Sequence, residues 1–136
     1  MSYENVDIGI PRALANAGKK AGCARFVLLT SFGIDGPGPY TAAKREAEAA
    51  VRASGLAHVF VRPSFIVGPG RVAPKAIDPL WSAVGLFARG YADDVRSIDA
   101  GDLARAIHRV AIADDWSAWS GRGLAGRDLH ALAKEA

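Results

Sequence analysis

Two apolar runs and the segment between them define the centre of the chain. Residues 26–29 form a continuous run of large apolar side chains, and residues 58–61 form a second short run. Runs of this kind are typical of parallel strands that are covered on both faces. Pro63 ends the second run, because proline has no N–H to donate to a sheet. The alanine-rich residues 41–54 predict a helix that stops at Gly55.

Strand, helix and strand in this order predict a parallel βαβ unit. The connection is longer than the roughly one dozen residues that a parallel crossover needs, and such crossovers are right-handed. Within the central helix, Glu46, Glu48 and Arg52 are expected to be exposed. The glycines and prolines of residues 33–39 predict a loop before that helix. The fold class is therefore α/β, with a parallel sheet.

Further helices are predicted on either side of this unit. Residues 5–21 partly follow helical spacing, and Gly22 closes the segment. Asp99 is expected to cap a well-patterned helix at residues 100–113. A last helix is expected at residues 126–134.

The stretch after the second strand is less regular. Residues 64–75 are rich in glycine and proline and predict a loop, and a short helix is expected at residues 80–89. That helix contains Trp81. We expect Trp116 and Trp119 to pack in the core or over a pocket rather than to line a groove for a partner.

The composition favours one ordinary domain. Half of the 136 residues are hydrophobic, which is enough to build a core. The net charge of +3 comes mostly from scattered arginines, and no basic and aromatic motif of nucleic-acid binding appears. Neither an apolar stretch of about eighteen residues nor a signal-peptide pattern is present, so we expect no membrane span and a cytoplasmic location.

The cysteine and the histidines do not predict a metal centre. The single Cys23 excludes an internal disulfide, and we expect it to be a small buried residue beside the first strand. His58, His108 and His130 are too dispersed in the sequence to suggest a set of metal ligands.

The strongest chemical signal is a tyrosine four residues before a lysine. A helix places Tyr40 and Lys44 on one face, so the ammonium can favour the ionised form of a phenol that alone titrates near ~10. Ser31, at the carboxyl end of the first strand, can hydrogen-bond the same substrate oxygen. The alternative interpretation is an exposed Tyr–Lys pair at the start of an alanine-rich helix.

Five short segments follow one another in a characteristic order. They are residues 25–31, residues 40–44 with Glu46 after them, residues 61–64, residues 67–70 and residues 97–104. Together they resemble the short-chain dehydrogenase/reductases, specifically the C-terminal half of an extended or atypical, epimerase-like member.

The resemblance implies a Rossmann sheet that binds NAD or NADP, and a role for each matching residue. Tyr40 would be the catalytic acid or base, and Lys44 would bind the nicotinamide ribose and tune Tyr40. Ser31 would orient the oxygen of a carbonyl or alcohol substrate. Pro63 and Ser64 would lie against the nicotinamide end of the cofactor.

The chain departs from the family before its first predicted strand. Members begin with a strand and a Gly-rich turn that cradles the pyrophosphate, and residues 1–25 show neither. Gly33, Gly36 and Gly38 follow a strand, but their spacing is that of an ordinary turn. We therefore expect residues 1–136 to form a single, incomplete Rossmann-like domain. Its strand at residues 26–29 would have a bare edge, covered by a second copy, a partner chain or the N-terminal helix.

Two hypotheses about function follow from these residues. In the first, the protein is an NAD(P)-dependent oxidoreductase or epimerase-like enzyme in which Tyr40 moves a proton. In the second, it is a non-catalytic Rossmann-like module that associates with itself or with a partner through its exposed sheet edge. The substrate and the choice between NAD and NADP cannot be assigned from these residues.

Overall fold

The computed structural model describes residues 3–69 and 95–134, which form alternating helices and strands. A π-helical turn, Glu4–Gly9, leads into the first α-helix. The helices are α1 (Ile10–Lys20), α2 (Pro39–Ala53), α3 (Ala100–Ile112) and α4 (Gly126–Lys134). The strands are β1 (Arg25–Leu29), β2 (Ala57–Arg62), β3 (Ile66–Val67), β4 (Ile98–Asp99) and β5 (Gly123–Ala125).

The main sheet has three parallel strands in the order β1, β2, β5. Val27 lies opposite Val59, and Val61 lies opposite Leu124. Strands β3 and β4 form a separate parallel pair. The predicted βαβ unit, β1–α2–β2, and the predicted α/β class are therefore confirmed.

Alternating side chains of β2 build the core on both faces of the sheet. Val59 and Val61 point to the face that α3 and α4 cover, in a buried cluster with Leu124. Phe60 points to the opposite face, where it packs with Val51 of α2 and neighbours from α1. Because both faces are covered by helices, the strands carry the near-continuous apolar runs seen in the sequence.

The tryptophans that the structure describes belong to the core. Trp116 is buried, and its indole Nε1 donates a hydrogen bond of 2.7 Å to the Val110 carbonyl. Trp119 packs against the same cluster. Core packing is thus confirmed for both. Trp81 and the helix expected at residues 80–89 lie outside the described residues.

Local signals place several helix ends correctly. The Asp99 carboxylate accepts a hydrogen bond of 2.8 Å from the Gly101 amide and caps α3, as predicted. Gly22 follows α1 with φ of 76°, a left-handed conformation that glycine adopts without steric cost. The predicted bounds of the last helix agree with α4.

Three expectations from the sequence were wrong, and two short strands were missed. Part of the expected loop at residues 64–75 is strand β3, and Ile98–Asp99 and Gly123–Ala125 are strands that no pattern indicated. Segments of two or three residues are too short to show a strand period. Cys23 is exposed, because it lies in the turn between α1 and β1 with its amide bonded to Gly18. Glu48, expected at the surface, is completely buried.

Strand β1 lies at the edge of the main sheet. Within residues 3–69 and 95–134, its other edge pairs with no strand. Leu29, at its carboxyl end, is exposed, whereas the Arg25 guanidinium at its start donates to the Ala111 carbonyl at 3.0 Å. The expected bare edge is therefore present in the described part of the chain. None of the described helices combines the length and apolar character that crossing a membrane requires.

Candidate functional site

The carboxyl ends of β1 and β2 lie side by side. Beyond the strands themselves, the Thr30 amide donates to the Val61 carbonyl at 2.8 Å, and the Phe32 amide donates to the Pro63 carbonyl at 2.9 Å. These bonds continue the parallel ladder and hold Ser31 beside the segment that contains Pro63. In open α/β sheets, ligands bind in the crevice outside the carboxyl ends of the strands.

Tyr40 and Lys44 lie on the first turns of α2, on the same side of the helix. The Lys44 ammonium is 5.4 Å from the centre of the Tyr40 ring, within the range of a cation–π contact. The Tyr40 side chain is 43% exposed. Its ring also meets the edge of the Tyr3 ring, with 6.1 Å between the ring centres. The phenol therefore has an apolar neighbour, a cation and access to solvent.

Lys44 has a second partner that the sequence did not indicate. Its Nζ donates a hydrogen bond of 2.8 Å to the Asp7 carboxylate, and the two side chains are only 18% and 23% exposed. Asp7 belongs to the π-helical turn before α1. The ion pair thus ties the start of the described chain to the helix that carries Tyr40.

The hydroxyl groups of the predicted serines contact the protein backbone. Ser31 Oγ donates to the Phe32 carbonyl at 3.1 Å, and Ser64 Oγ donates to the Val95 carbonyl at 2.9 Å. Among the described residues, no hydrogen bond joins Ser31 to Tyr40. The convergence of Ser31, Tyr40 and Lys44 on one substrate oxygen therefore stays a prediction.

The glycine-containing loop between β1 and α2 is fixed by side chains of α2. Arg45 donates to the carbonyls of Ile34 and Gly36, the latter at 2.9 Å. Thr41 Oγ1 donates to the carbonyls of Gly36 and Gly38 at 2.8 and 3.0 Å. The loop thus turns its carbonyl oxygens toward protein donors. A pyrophosphate cradle instead presents N–H groups, so these contacts suit an ordinary turn.

A buried carboxylate lies one turn beyond Lys44 and connects three segments of the chain. Glu48 Oε1 accepts hydrogen bonds from Thr30 Oγ1 at 2.9 Å and from Arg62 Nε at 2.8 Å. Its Oε2 accepts from Arg62 Nη2 at 2.5 Å and from Arg52 at 3.0 Å. We call Thr30, Glu48, Arg52 and Arg62 the Glu48 cluster.

The Arg62 guanidinium is held closely within this cluster. Its pKa is raised above the ordinary value, chiefly by hydrogen bonding to Glu48 and against the effect of burial. The same group lies directly over Gly123 of β5, where an added Cβ would be 2.6 Å from Nη1. A side chain at position 123 would therefore require the guanidinium to shift from this place.

Sequence reasoning missed Asp7, Thr30, Glu48 and Arg62. For Glu48 a signal existed, because it lies four residues after Lys44 and three before the core residue Val51, on the inward side of α2. Asp7 gave no comparable signal, since its partner is 37 positions away. In the described part of the chain, no group of three or more histidine, cysteine and acidic side chains is placed to hold a metal ion.

The sequence profile of the NAD(P)H-binding family matches residues 4–111, most of the chain. The chain belongs to this NAD(P)H-binding family. NAD or NADP, the cofactor expected from the sequence, is thus the cofactor of the family. No curated protein sequence matches the chain.

Solved structures agree with this family at the level of the fold. A Bacillus halodurans protein assigned as an NAD-dependent epimerase/dehydratase has a TM-score of 0.61 and 19% identity, over 90% of this chain and 56% of its own. UDP-glucuronic acid 4-epimerase from Bacillus cereus, solved with NAD, has a TM-score of 0.61 and 12% identity, over 89% of this chain and 46% of its own. The Bordetella bronchiseptica enzyme WbmH, solved with NAD+, has a TM-score of 0.56 and 20% identity, over 85% of this chain and 43% of its own.

These matches confirm the resemblance to NAD(P)-binding, epimerase-like chains with a Rossmann-like fold. The chain spans about half of the length of the solved structures, between 43% and 56% of each. The roles expected for Ser31, Tyr40, Lys44, Pro63 and Ser64 stay predictions. The contacts of the described glycine loop do not suit a pyrophosphate, because its carbonyl oxygens face protein donors.

Proposed function

We propose that the chain forms the nicotinamide and substrate side of an NAD(P)-dependent oxidoreductase or epimerase-like enzyme. The observation that carries the proposal is the position of α2 in a chain of the NAD(P)H-binding family. This helix follows β1 directly and presents Tyr40 and Lys44 on one side, with an ammonium 5.4 Å from the ring of a solvent-accessible phenol. The proposed substrate is a carbonyl compound or an alcohol.

In this proposal the Tyr40 hydroxyl exchanges a proton with the substrate oxygen. When the substrate is an alcohol, Tyr40 takes the proton from the oxygen, and when it is a carbonyl, Tyr40 gives the proton back. NAD or NADP, when bound, supplies the acceptor or donor of the hydride at the adjacent carbon. Ser31 donates a hydrogen bond to the same oxygen after its hydroxyl rotates away from the Phe32 carbonyl.

Lys44 is proposed to hold the ribose next to the nicotinamide. An ammonium has three N–H donors, and Asp7 accepts one of them. Two donors therefore remain for the ribose hydroxyls. Pro63 is buried at the end of β2 and Ser64 follows it, so both are proposed to lie against the nicotinamide end.

Binding of the cofactor tests this proposal. We expect the fluorescence of NADH or NADPH to change when the protein is added. Lys44→Met should raise the dissociation constant measured in this way by about tenfold or more, because a charged hydrogen bond is lost. Lys19→Met is the matched control, because the Lys19 ammonium makes a surface hydrogen bond of 3.3 Å to the Gly55 carbonyl and no other among the described residues. Unchanged fluorescence with both cofactors at saturating protein would refute the proposal.

Turnover tests the role of the phenol. UDP-glucuronic acid, the substrate in the name of one structural neighbour, is a suitable first probe. Tyr40→Phe should abolish any conversion of it while leaving cofactor binding nearly unchanged. Tyr3→Phe, which removes the hydroxyl of the adjacent ring, is the control. Equal activity of wild type and Tyr40→Phe would exclude proton transfer by Tyr40.

The unpaired edge of β1 favours a second candidate, a module that associates with a second copy of itself. An exposed strand edge offers unpaired N–H and C=O groups to another chain. Light scattering at increasing protein concentration tests this candidate. A monomer at the highest concentration would contradict it, whereas a dimer that loses its stability when Val27→Pro is introduced would support it.

A further inference from the structure

The Glu48 cluster lies where the proposed site is assembled, but none of its members belongs to that site. Thr30 immediately precedes Ser31, and Arg62 immediately precedes Pro63 and Ser64. Glu48 itself lies one helical turn after Lys44. One carboxylate thus contacts the residues next to Ser31 and Pro63, and it lies on the helix that carries Tyr40 and Lys44.

Both oxygens of this carboxylate are occupied by fixed donors. Thr30 and Arg62 share Oε1, while Arg62 and Arg52 share Oε2. Glu48 is 0% exposed, whereas the Arg62 side chain is 25% exposed. Three of the four bonds come from Thr30 and Arg62, which lie outside α2, so a shift of α2 along the sheet strains them, whereas Arg52 moves with the helix.

The surroundings restrict the arginine as well. Gly123 leaves just enough room for the guanidinium on the β5 side, and the Phe60 ring lies below it, 5.9 Å from the guanidinium carbon. The position of Arg62, and through it that of Glu48, is therefore defined by the sheet. The helix is located relative to this fixed group.

We propose that Glu48 is a positioning residue, which sets where α2 lies across the ends of β1 and β2 and thereby places Tyr40 and Lys44 relative to Ser31, Pro63 and Ser64. This inference rests on the proposed function of those five residues. Apolar packing of Val51 and Ala47 alone would hold α2 on the sheet, but apolar contacts tolerate sliding and rotation better than directed hydrogen bonds do. The hydrogen bonds of the Glu48 carboxylate supply the directional restraint on α2.

The test compares Glu48→Gln with Glu46→Gln in the full chain. Both changes remove one negative charge from α2, but Glu46 is exposed, and within residues 3–69 and 95–134 its ion pair is with Arg12, at 3.3 Å. Thr30→Val is a milder variant, which removes one hydrogen bond and keeps the ion pair. Thermal unfolding by circular dichroism establishes which variants are folded.

Two measurements report on position. The first is the NMR resonance of the Tyr40 ring in protein with ¹³C-labelled tyrosine, assigned by its loss in Tyr40→Phe and recorded without cofactor. The second is the dissociation constant of NADH and NADPH. We expect Glu48→Gln to shift the Tyr40 resonance and to weaken binding on the order of tenfold, the low end of the cost of losing a supporting residue at metal sites. Thr30→Val should change both in the same direction by less, and Glu46→Gln should change neither.

The outcomes separate this inference from the proposed function. If the wild type binds neither cofactor, the proposed function fails, and the Tyr40 resonance alone decides about positioning. If folded Glu48→Gln keeps the wild-type resonance and affinity, the positioning role is overturned. If Glu48→Gln does not fold, Thr30→Val decides by the same two measurements, and wild-type values there would equally overturn the role.

Discussion

A methyl group added at Gly123 should displace the Arg62 guanidinium from Glu48. An alanine Cβ at this position would lie 2.6 Å from Nη1, 2.7 Å from Cζ and 3.1 Å from Nε of Arg62. Ordinary contact begins at 3.4 Å, so the guanidinium has to retreat by about 0.8 Å. We expect a movement of this size to break at least one of its two hydrogen bonds to Glu48, which are 2.8 and 2.5 Å long.

The magnitude follows from two opposing effects. Breaking a buried ion pair costs about 3–5 kcal/mol, because the remaining charge stays buried without its partner. Replacing glycine by alanine within a strand returns about 0.5–1 kcal/mol through lower entropy of the unfolded chain. Because Thr30 and Arg52 keep their bonds to Glu48, we expect Gly123→Ala to lower the free energy of unfolding by about 2–4 kcal/mol.

Urea unfolding followed by far-UV circular dichroism measures this change. Gly68→Ala is the matched control, since the atom of the described residues that an added Cβ there would meet is the Ala100 Cβ, at an ordinary 3.5 Å. In an Arg62→Met background, Gly123→Ala should cost less than about 1 kcal/mol, because no guanidinium remains to be displaced. A free energy of unfolding that is unchanged or increased by Gly123→Ala in the wild-type background would refute the reasoning.

Three further perturbations have defined outcomes. Asp99→Ala removes the cap of α3 and should lower the free energy of unfolding by about 1 kcal/mol in urea unfolding, whereas Asp99→Asn should restore most of it. Leu124→Ala, at a fully buried position of β5, should cost about 2–5 kcal/mol in the same assay, and a loss below 1 kcal/mol would contradict its place in the core. Burial lowers the pKa of His130, helped by Arg96 and Lys134. As the pH falls below about 6.5, the unfolded chain therefore binds more protons than the folded chain, and the melting temperature should decrease. His130→Gln should make this decrease smaller, whereas the substitution His108→Gln, at an exposed position, should leave it unchanged.

The sequence predicts elements whose signals are local. The apolar runs of β1 and β2, the alanine-rich α2 and the cap at Asp99 each lie within a few neighbouring residues, and the structure confirms them. Strand β5 has only three residues and carries no period that a pattern search can detect. Its place in the sheet depends on pairing with β2, more than sixty positions earlier.

The candidate site shows the same difference between local signals and contacts of residues that are distant in the sequence. Tyr40 and Lys44 were predicted as a pair because a helix brings positions four apart onto one side. Asp7, which pairs with Lys44, and Arg62, which pairs with Glu48, were not predicted, because each is distant in the sequence from its partner. Glu48 was predicted to lie at the surface because a charged side chain is almost never fully buried unless it is paired. Its partner Arg62 lies on strand β2, which the pattern of α2 does not reveal.

The ion pair between Asp7 and Lys44 has a practical consequence for recombinant expression. A version of the protein that started at Ile10 would keep every strand and every α-helix described above, and it would still lack the carboxylate that orients the Lys44 ammonium. It would also lack Tyr3, the neighbour of the Tyr40 ring. Even where such a shortened protein folds without the buried Ile8, it would misreport the chemistry of the phenol, so the choice of first residue belongs among the variables of any activity screen.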